Sequence, residues 1–156
     1  MKILFVCSGN TCRSPMAEAL AQQMAKEKGR LDCRFASAGT FVWPGDVASR
    51  ETVAEMAGRG IPLEGRRARQ LDAAMAEEAD LILTMTEGIC GAVASLFPQA
   101  AGKVHTLPRY VGESGDVDDP YGCGEEVYHA AAQQIYGLLE KLFAQLDQNT
   151  HGGKER

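Results

Sequence analysis

The amino-acid sequence predicts an α/β fold in a single domain, with a four-stranded parallel sheet and helices on both faces. Three features support this prediction: short apolar runs typical of buried strands, helical patterns between them, and a long amphipathic segment near the C-terminus. The predicted strands cover residues 3–6, 33–39, 79–85 and 103–107, and the predicted helices cover residues 15–28, 46–60, 88–97 and 125–146. The 156 residues suffice for one core, which we assign to residues 1–147, followed by a polar C-terminal tail at 148–156.

The first half of the chain contains two predicted strands and two predicted helices. Residues 3–6 read Ile-Leu-Phe-Val, a continuous apolar run typical of a strand that is buried on both faces. In the first helix, Met16, Leu20 and Met24 are spaced by four and form an apolar face. The second predicted helix has four apolar residues roughly on one side, namely Val47, Val53, Met56 and Ala57.

The second half repeats this alternation and ends in the longest predicted helix. Residues 79–85 read Ala-Asp-Leu-Ile-Leu-Thr-Met and predict a third buried strand. Residues 111–124 are rich in Gly and Asp and predict a long loop, which in a compact domain often carries function. The apolar face of the last helix is formed by Val127, Ala131, Ile135, Leu138, Leu139, Leu142, Phe143 and Leu146. We expect the polar tail to fray.

Composition excludes several classes of function. The net charge of −5 argues against general nucleic-acid binding, and no apolar run approaches the length of a membrane span. The chain starts directly with a strand and shows no signal-peptide pattern, so we expect a cytoplasmic protein. Five cysteines without regular spacing argue against a disulfide framework, and the histidines at positions 105, 129 and 151 show no metal-ligand spacing. We therefore expect no cofactor and no metal, and a monomer.

The segment from Cys7 to Ser14 reads Cys-Ser-Gly-Asn-Thr-Cys-Arg-Ser and joins the first strand to the first helix. Ser14-Pro15 is typical of a helix start, with a hydroxyl residue at the cap and proline in the first turn. A tight loop before a helix directs backbone N–H groups and the positive end of the helix dipole at one point, which favours anion binding.

Cys7 and Arg13 make this predicted anion site reactive. The planar guanidinium of Arg13 can hold a phosphate with two hydrogen bonds. The amides, the helix dipole and Arg13 favour a thiolate at Cys7, and a thiolate against a bound phosphorus is a nucleophile in position. The alternative is an ordinary strand-to-helix turn with a buried structural cysteine.

These residues resemble the start of the low-molecular-weight protein tyrosine phosphatases, in which Cys-x5-Arg-Ser follows the first strand and Ser-Pro-x-Ala-Glu opens the first helix. This chain has Ser14-Pro15-Met16-Ala17-Glu18 at that place. The resemblance implies the phosphotyrosine protein phosphatase I-like fold and a phosphorylated protein substrate. It also implies a phosphate-binding loop, which here comprises Ser8, Gly9, Asn10, Thr11, Cys12 and Ser14 beside the catalytic Cys7 and Arg13.

The same resemblance implies further site residues. A serine corresponding to Ser37 bonds the loop asparagine in the family, and the family's Asp-Pro-aromatic signature makes Asp119 the general acid. Tyr121, Phe41 and Trp43 are candidate residues of the substrate cleft. The alternatives are a solvated strand end for Ser37, a turn-forming Asp-Pro for Asp119 and a minor core plug for the aromatic pair.

The sequence departs from the family pattern at two places and has a second loop cysteine. Arg66 stands where family members often carry a histidine, which leaves the partner supplied by that histidine open. Thr86 stands where many tyrosine-type relatives have an aspartate after the third strand. The resemblance implies a reversible disulfide between Cys7 and Cys12 that protects the nucleophile from over-oxidation, whereas the alternative for Cys12 is a small buried residue.

Thr11 and Thr86 favour phosphoarginine over phosphotyrosine as the substrate group. Tyrosine-selective relatives usually have an aliphatic residue in the middle of the loop, whereas relatives resembling the bacterial protein-arginine phosphatases have threonine. A phosphorylated guanidinium brings N–H donors. Beside an aliphatic side chain these donors find no acceptor, which costs roughly 1–3 kcal/mol for each unpaired donor.

Two alternatives from other classes are a non-catalytic phosphate-binding module and a thiol-linked arsenate reductase, although Met85 and the lone Cys90 do not fit the latter.

Overall fold

The computed structural model describes the backbone of residues 1–152 and the side chains of residues 1–149. The strands are β1 (Lys2–Cys7), β2 (Arg34–Gly39), β3 (Leu81–Thr84) and β4 (Val104–Thr106). The helices are α1 (Arg13–Glu27), α2 (Arg50–Ala57), α3 (Ala73–Glu78), α4 (Glu87–Leu96), α5 (Leu107–Tyr110) and α6 (Glu125–Gly152), with a 3-10 helix at Pro98–Lys103. Among the residues described, no helix combines the length and the apolar character that crossing a membrane requires.

The four strands form one parallel sheet in the order β2-β1-β3-β4, which confirms the predicted architecture. β1 is an inner strand between β2 and β3, and its last residue, Cys7, pairs with Gly39 at the end of β2. Side chains on both faces of β1 are buried, as its unbroken apolar sequence predicts. This register brings the ends of β1 and β2 together at the edge where the loop before α1 begins.

The predicted helix at residues 46–60 is wrong at both ends, because α2 begins only after Ser49 and ends at Ala57. Residues before Ser49 pair with another segment instead: the N–H of Ala48 donates to the carbonyl of Arg66 at 2.8 Å. Val47, predicted on the apolar face, is 45% exposed and forms an isolated bridge with Arg67. A tertiary backbone pairing therefore replaces the first turns that the apolar spacing predicted.

The last helix begins at Glu125 as predicted, but it differs from its prediction in one residue of the apolar face and in its C-terminal end. Val127 is exposed, and its neighbour Tyr128 is buried instead, because the Tyr128 side chain packs beneath the loop before α1. The rest of the predicted apolar face is buried, and α6 packs against α1. The helix continues through Gly152, so it includes the start of the segment expected to fray, and residues 153–156 lie outside the described part of the chain.

Candidate active site

Cys7 lies at the carboxyl end of β1, the edge at which open parallel sheets bind ligands. We call residues 7–14 the Cys7 loop; it joins β1 to the first turn of α1. The Cys7 residue is only 2% exposed, its Sγ lies 2.8 Å from the hydroxyl of Ser14, and it accepts a hydrogen bond from the backbone N–H of Asn10 at 3.3 Å. The sulfur therefore has two polar partners in a buried position.

Ser14 does not cap α1, contrary to the sequence prediction. The helix begins at Arg13, and its N-cap residue is Cys12, which makes no side-chain capping bond. The Ser14 hydroxyl is occupied by loop contacts: it lies against Cys7 Sγ and accepts from Asn10 Nδ2 at 2.8 Å. Because the hydroxyl faces the sulfur, the amides of the first turn keep their donors for an anion.

Asn10 fixes the turn of the Cys7 loop. Its backbone has a φ of 56°, in the left-handed region that asparagine adopts more readily than most residues. Its fully buried side chain donates to Ser14 Oγ and, at 3.0 Å, to Ser37 Oγ, the contact that the family resemblance implies. Its Oδ1 accepts from the backbone N–H of Arg69 at 2.8 Å, so every polar atom of the amide group is used.

Arg66 occupies the place left open by the missing family histidine. Its Nη1 donates to Asn10 Oδ1 at 3.2 Å, and its Nη2 donates to Ser37 Oγ. The same guanidinium contacts both carboxylate oxygens of Glu18 at 3.4 Å, and both side chains of this ion pair are about nine-tenths buried. The sequence singled out the position but not this role, since nothing in the sequence pairs Arg66 with a glutamate on α1.

The Cys7 loop leaves six backbone donors open. Among the described residues, none accepts a hydrogen bond from the N–H groups of Ser8, Gly9, Thr11, Cys12, Arg13 and Ser14. Backbone N–H groups in folded proteins are nearly always paired, so a group of open donors beside a helix N-terminus is typical of an anion site. The loop therefore has the donors that the sequence analysis expected of it.

Arg13 and Asp119 meet above the loop. The Arg13 side chain is 5% exposed, and its Nη1 is held by the carbonyl of Val117 at 3.0 Å. Its Nη2 lies 3.5 Å from Ser8 Oγ and 3.8 Å from Asp119 Oδ2. Asp119 is 54% exposed, and its other oxygen accepts from the backbone N–H of Tyr121 at 3.1 Å. The structure thus brings the predicted nucleophile, arginine and acid to one pocket.

This pocket has a volume of about 80 Å³, which suits a phosphoryl group. It is lined by Cys7, Gly9, Thr11, Cys12, Arg13, Asp119 and Tyr121. Phe41 and Trp43, predicted to line the cleft, do not line this pocket. They are 65% and 66% exposed. Their rings pack edge to face against each other on the surface beside the loop, with ring centroids 5.5 Å apart.

Gly39 is a site residue that sequence reasoning missed. A Cβ at this position would lie 2.5 Å from the carbonyl oxygen of Ser8 and 3.0 Å from the amide nitrogen of Asn10. Only a glycine lets the end of β2 approach the Cys7 loop this closely. The signal was present in the sequence as Ser-Ala-Gly at a strand end, but only the strand register shows which backbone it meets.

Cys12 contacts a second residue that sequence reasoning missed, Tyr128 on α6. The Tyr128 hydroxyl lies 3.1 Å from Cys12 Sγ and 3.4 Å from Ser49 Oγ. Burial, together with the hydrogen bond to Cys12, raises the pKa of Tyr128 above its usual range, so it is a neutral hydroxyl at physiological pH. Cys7 and Cys12 are both free thiols in this structure, and the reversible disulfide between them stays a prediction.

Cys33, which is buried, and Cys90, which is partly buried, are poor redox partners. Burial raises the pKa of Cys33 and of Cys90, and therefore disfavours their thiolates. Met85, which the sequence analysis set against an arsenate reductase, is fully buried in the core.

Thr86, which departs from the family pattern, has a structural role. Thr86 is the N-cap of α4 and accepts from the N–H of Ile89 at 3.1 Å. The carboxylate of Asp116 accepts from the N–H of Glu87 at the same helix end. No group of three or more potential metal ligands occurs within the described part of the chain.

Comparison with known proteins agrees with this geometry. The profile described as low molecular weight phosphotyrosine protein phosphatase matches residues 2–152. The chain is 40% identical over 147 residues to the protein-arginine-phosphatase of Bacillus subtilis, covering 94% of this chain and 97% of the relative. It is 36% identical over 143 residues to the low molecular weight protein-tyrosine-phosphatase PtpB of Staphylococcus epidermidis, covering 91% and 96%.

A solved structure closely matches the fold. It is the YwlE arginine phosphatase in a mutant form with a phosphorylated active-site serine, with a TM-score of 0.89 and 39% identity. The match covers 94% of this chain and 96% of that chain. The likeness thus extends over nearly all of both molecules.

Proposed function

Because the chain belongs to the low molecular weight phosphotyrosine protein phosphatase family, we propose that it hydrolyses phosphoarginine in proteins through a cysteinyl-phosphate intermediate. Members of this class are phosphatases named for protein tyrosine or protein arginine substrates. One observation carries the proposal: the Cys7 sulfur lies at the base of a loop with open amide donors, beside the buried guanidinium of Arg13.

In the first step, the Cys7 thiolate attacks phosphorus in line with the leaving nitrogen. The S–P bond forms as the P–N bond breaks, and the phosphoryl charge stays on three equatorial oxygens. The amides of the Cys7 loop and the Arg13 guanidinium stabilise these oxygens without rearranging, because the protein already holds them in place. Asp119 gives its proton to the leaving nitrogen, so it must be protonated when the substrate binds.

In the second step, water attacks the phosphorus of the cysteinyl-phosphate. Asp119 takes a proton from this water, and the S–P bond breaks to release inorganic phosphate and the thiolate. The Ser14 hydroxyl, 2.8 Å from Cys7 Sγ, stabilises the sulfur as its negative charge returns. The phosphorylated active-site serine described for YwlE supports transfer to this loop position by likeness.

Thr11 supports phosphoarginine as the substrate group. Its side chain lines the pocket, so it faces the group attached to the phosphorus. A hydroxyl there accepts a hydrogen bond from a guanidinium N–H, whereas an aliphatic side chain leaves that donor unpaired. Two relatives with 40% and 38% identity are named protein-arginine-phosphatases, which supports the same choice.

Phosphotyrosine is the second candidate substrate group. Tyr121 lines the pocket and is 71% exposed, so its ring is available to stack on a phenyl group. Relatives with 36% identity are named protein-tyrosine-phosphatases. Phosphoarginine needs a hydrogen-bond acceptor at Thr11, whereas phosphotyrosine does not. A substitution at Thr11 therefore distinguishes the two substrate groups.

The test measures kcat/KM of purified protein on matched peptides that carry phosphoarginine or phosphotyrosine. We expect wild type to prefer phosphoarginine. Thr11→Ile should lower this preference by about tenfold or more, because leaving a guanidinium N–H without an acceptor costs roughly 1–3 kcal/mol. Thr11→Ser, which keeps the hydroxyl, is the matched control and should retain the preference. A preference that survives Thr11→Ile would contradict the assignment of phosphoarginine.

A separate control tests the intermediate. Cys7→Ser should abolish turnover of both peptides, and rapid quenching of wild type should trap phosphate on Cys7. Arsenate should cause no thiol consumption, because burial raises the pKa of Cys33 and of Cys90 and so disfavours their thiolates. Turnover that persists in Cys7→Ser would overturn the mechanism.

A further inference from the structure

The carbonyl of Thr11 points away from the pocket and is held from behind by α2. It accepts a hydrogen bond from the backbone N–H of Ser49 at 3.0 Å and a second from the hydroxyl of Thr52, also at 3.0 Å. Thr52 is fully buried, and Ser49 is the N-cap of α2. Two donors from one helix end therefore fix a single carbonyl of the Cys7 loop.

The fixed carbonyl determines where an amide points. The peptide bond between Thr11 and Cys12 is trans and planar, so the N–H of Cys12 points opposite to the carbonyl of Thr11. The carbonyl is directed at α2, and therefore the Cys12 N–H is directed into the pocket that Thr11 and Cys12 line. This N–H is one of the open donors of the loop.

The Thr52 hydroxyl proton points at the loop, because the carbonyl of Thr11 can only accept a hydrogen bond. The half-buried Ser49 lies beside it: Ser49 Oγ is 2.8 Å from the Thr52 hydroxyl oxygen and accepts from the backbone N–H of Thr52 at 3.2 Å. Ser49 Oγ in turn donates to the hydroxyl of Tyr128 at 3.4 Å. These contacts hold the Thr52 side chain against the Cys7 loop.

We propose that Thr52 is a positioning residue, which aligns the Cys12 N–H with a phosphoryl oxygen through the carbonyl of Thr11. This inference rests on the proposed function for its effect on turnover, but its effect on anion binding does not need turnover. An amide held in place stabilises phosphoryl charge without paying for reorganisation. If one of the two hydrogen bonds to the Thr11 carbonyl is removed, the peptide plane becomes more mobile. The Cys12 N–H then spends less time aligned with the phosphoryl oxygen.

The experiment compares Thr52→Val, which keeps shape but loses the hydroxyl, with Thr52→Ser, which keeps the hydroxyl. We measure binding of inorganic phosphate to the free protein by calorimetry and kcat/KM on an aryl phosphate. Thr52→Val should weaken phosphate binding and lower kcat/KM by about threefold to tenfold, as expected for one net hydrogen bond. Thr52→Ser should restore both towards wild type.

Thr84→Val is the matched control, because Thr84 is another fully buried threonine whose hydroxyl donates to a backbone carbonyl, that of Thr86, and it does not line the pocket. It should lose stability like Thr52→Val but keep phosphate affinity. If Thr52→Val does not fold, Ser49→Ala takes its place: it removes the hydroxyl that contacts the Thr52 hydroxyl and caps its backbone N–H, and should weaken phosphate binding by about twofold to threefold.

The outcomes separate this inference from the function. Unchanged phosphate affinity in a folded Thr52→Val, or in Ser49→Ala if it must be used, overturns the inference. Equal loss of affinity in Thr84→Val overturns it as well, since the effect is then one of general stability. A wild-type protein that binds phosphate but hydrolyses no phosphorylated side chain contradicts the proposed function, and the calorimetric arm still decides the role of Thr52.

Discussion

The floor of the candidate active site and the segment that closes over it are built in opposite ways. Asn10, Ser14 and Ser37, which support the Cys7 loop, are fully buried, and the Asn10 side chain donates to both serine hydroxyls. Residues 111–124, which we call the Asp119 segment, are anchored at Val117 but largely exposed beyond it. Asp119 and Tyr121 are 54% and 71% exposed respectively.

This difference separates two physical tasks. Donors that stabilise charge on phosphoryl oxygens work best when they are already oriented, and the buried floor provides this. A general acid must instead meet leaving atoms of differing position, so an exposed segment suits it. Val117 links the two regions, since its N–H is bound to the carbonyl of Met85 and its own carbonyl holds Arg13.

The largest expected effect tests the Asp119 segment. Asp119→Asn keeps the shape of the side chain but removes the transferable proton, so kcat/KM on phosphoarginine peptides should fall by about 100-fold to 1,000-fold. An aryl phosphate with a good leaving group should lose less, because it needs less protonation. Asp118→Asn is the control, a neighbouring carboxylate outside the pocket lining, and should change little. Equal losses in both variants would contradict the assigned acid.

The second-largest expected effect is on stability and tests the buried residues that support the Cys7 loop. Arg66→Met leaves the Glu18 carboxylate buried without its partner, and we expect the free energy of unfolding to fall by about 3–5 kcal/mol. Adding Glu18→Gln to this variant should recover part of the loss. Arg67→Met, at an exposed neighbouring arginine, should change stability by less than about 0.5 kcal/mol. Urea unfolding measures all three, and a neutral Arg66→Met would show that the floor does not depend on this pair.

A smaller effect tests the contact between β2 and the Cys7 loop. Gly39→Ala places a methyl group 2.5 Å from the carbonyl oxygen of Ser8, so the loop must shift, at a cost of about 1–3 kcal/mol. Activity should fall with stability, because the displaced backbone belongs to the pocket. Gly91→Ala is the control: Gly91 lies within α4 with open space around its Cβ position, and alanine should stabilise it by about 0.5–1 kcal/mol.

The sequence predicted the sheet and the Cys7 loop because each is a local pattern, whereas the acid role proposed for Asp119 came from the family resemblance. An apolar run, a cysteine and an arginine at fixed spacing, and an Asp-Pro pair are all visible without knowing the fold. The same local reading failed for Ser14, where a hydroxyl before a proline predicts a cap, because a contact with Cys7 takes that hydroxyl. The cleft role of Phe41 and Trp43 stays a prediction, since both rings are exposed and lie outside the lining of the phosphate pocket.

The contacts that sequence reasoning missed share a different property. Arg66, Thr52 and Tyr128 reach the Cys7 loop from distant parts of the chain, and no sequence motif marks these pairings. Only the tertiary packing against the loop decides which of several hydroxyl and arginine residues reach it. Supporting contacts of this kind need the tertiary register, whereas the reacting groups do not.

The smallest expected effect tests whether the packing of Tyr128 against the Cys7 loop excludes water. Burial and the contact with Cys12 raise the pKa of Tyr128 above the ordinary tyrosine value of about 10. Above that pH the unfolded chain loses a proton that the folded chain keeps, so the free energy of unfolding falls as pH rises.

Tyr128→Phe removes this proton and should therefore lose less stability than wild type between about pH 9 and pH 11, as measured by urea unfolding. Tyr136→Phe, at a side chain that is 37% exposed, should follow wild type. A wild-type slope in Tyr128→Phe would mean that Tyr128 ionises as readily in the folded state as in the unfolded chain. Water would then reach the back of the loop, and the contrast between a dry floor and an exposed acid would lose its basis.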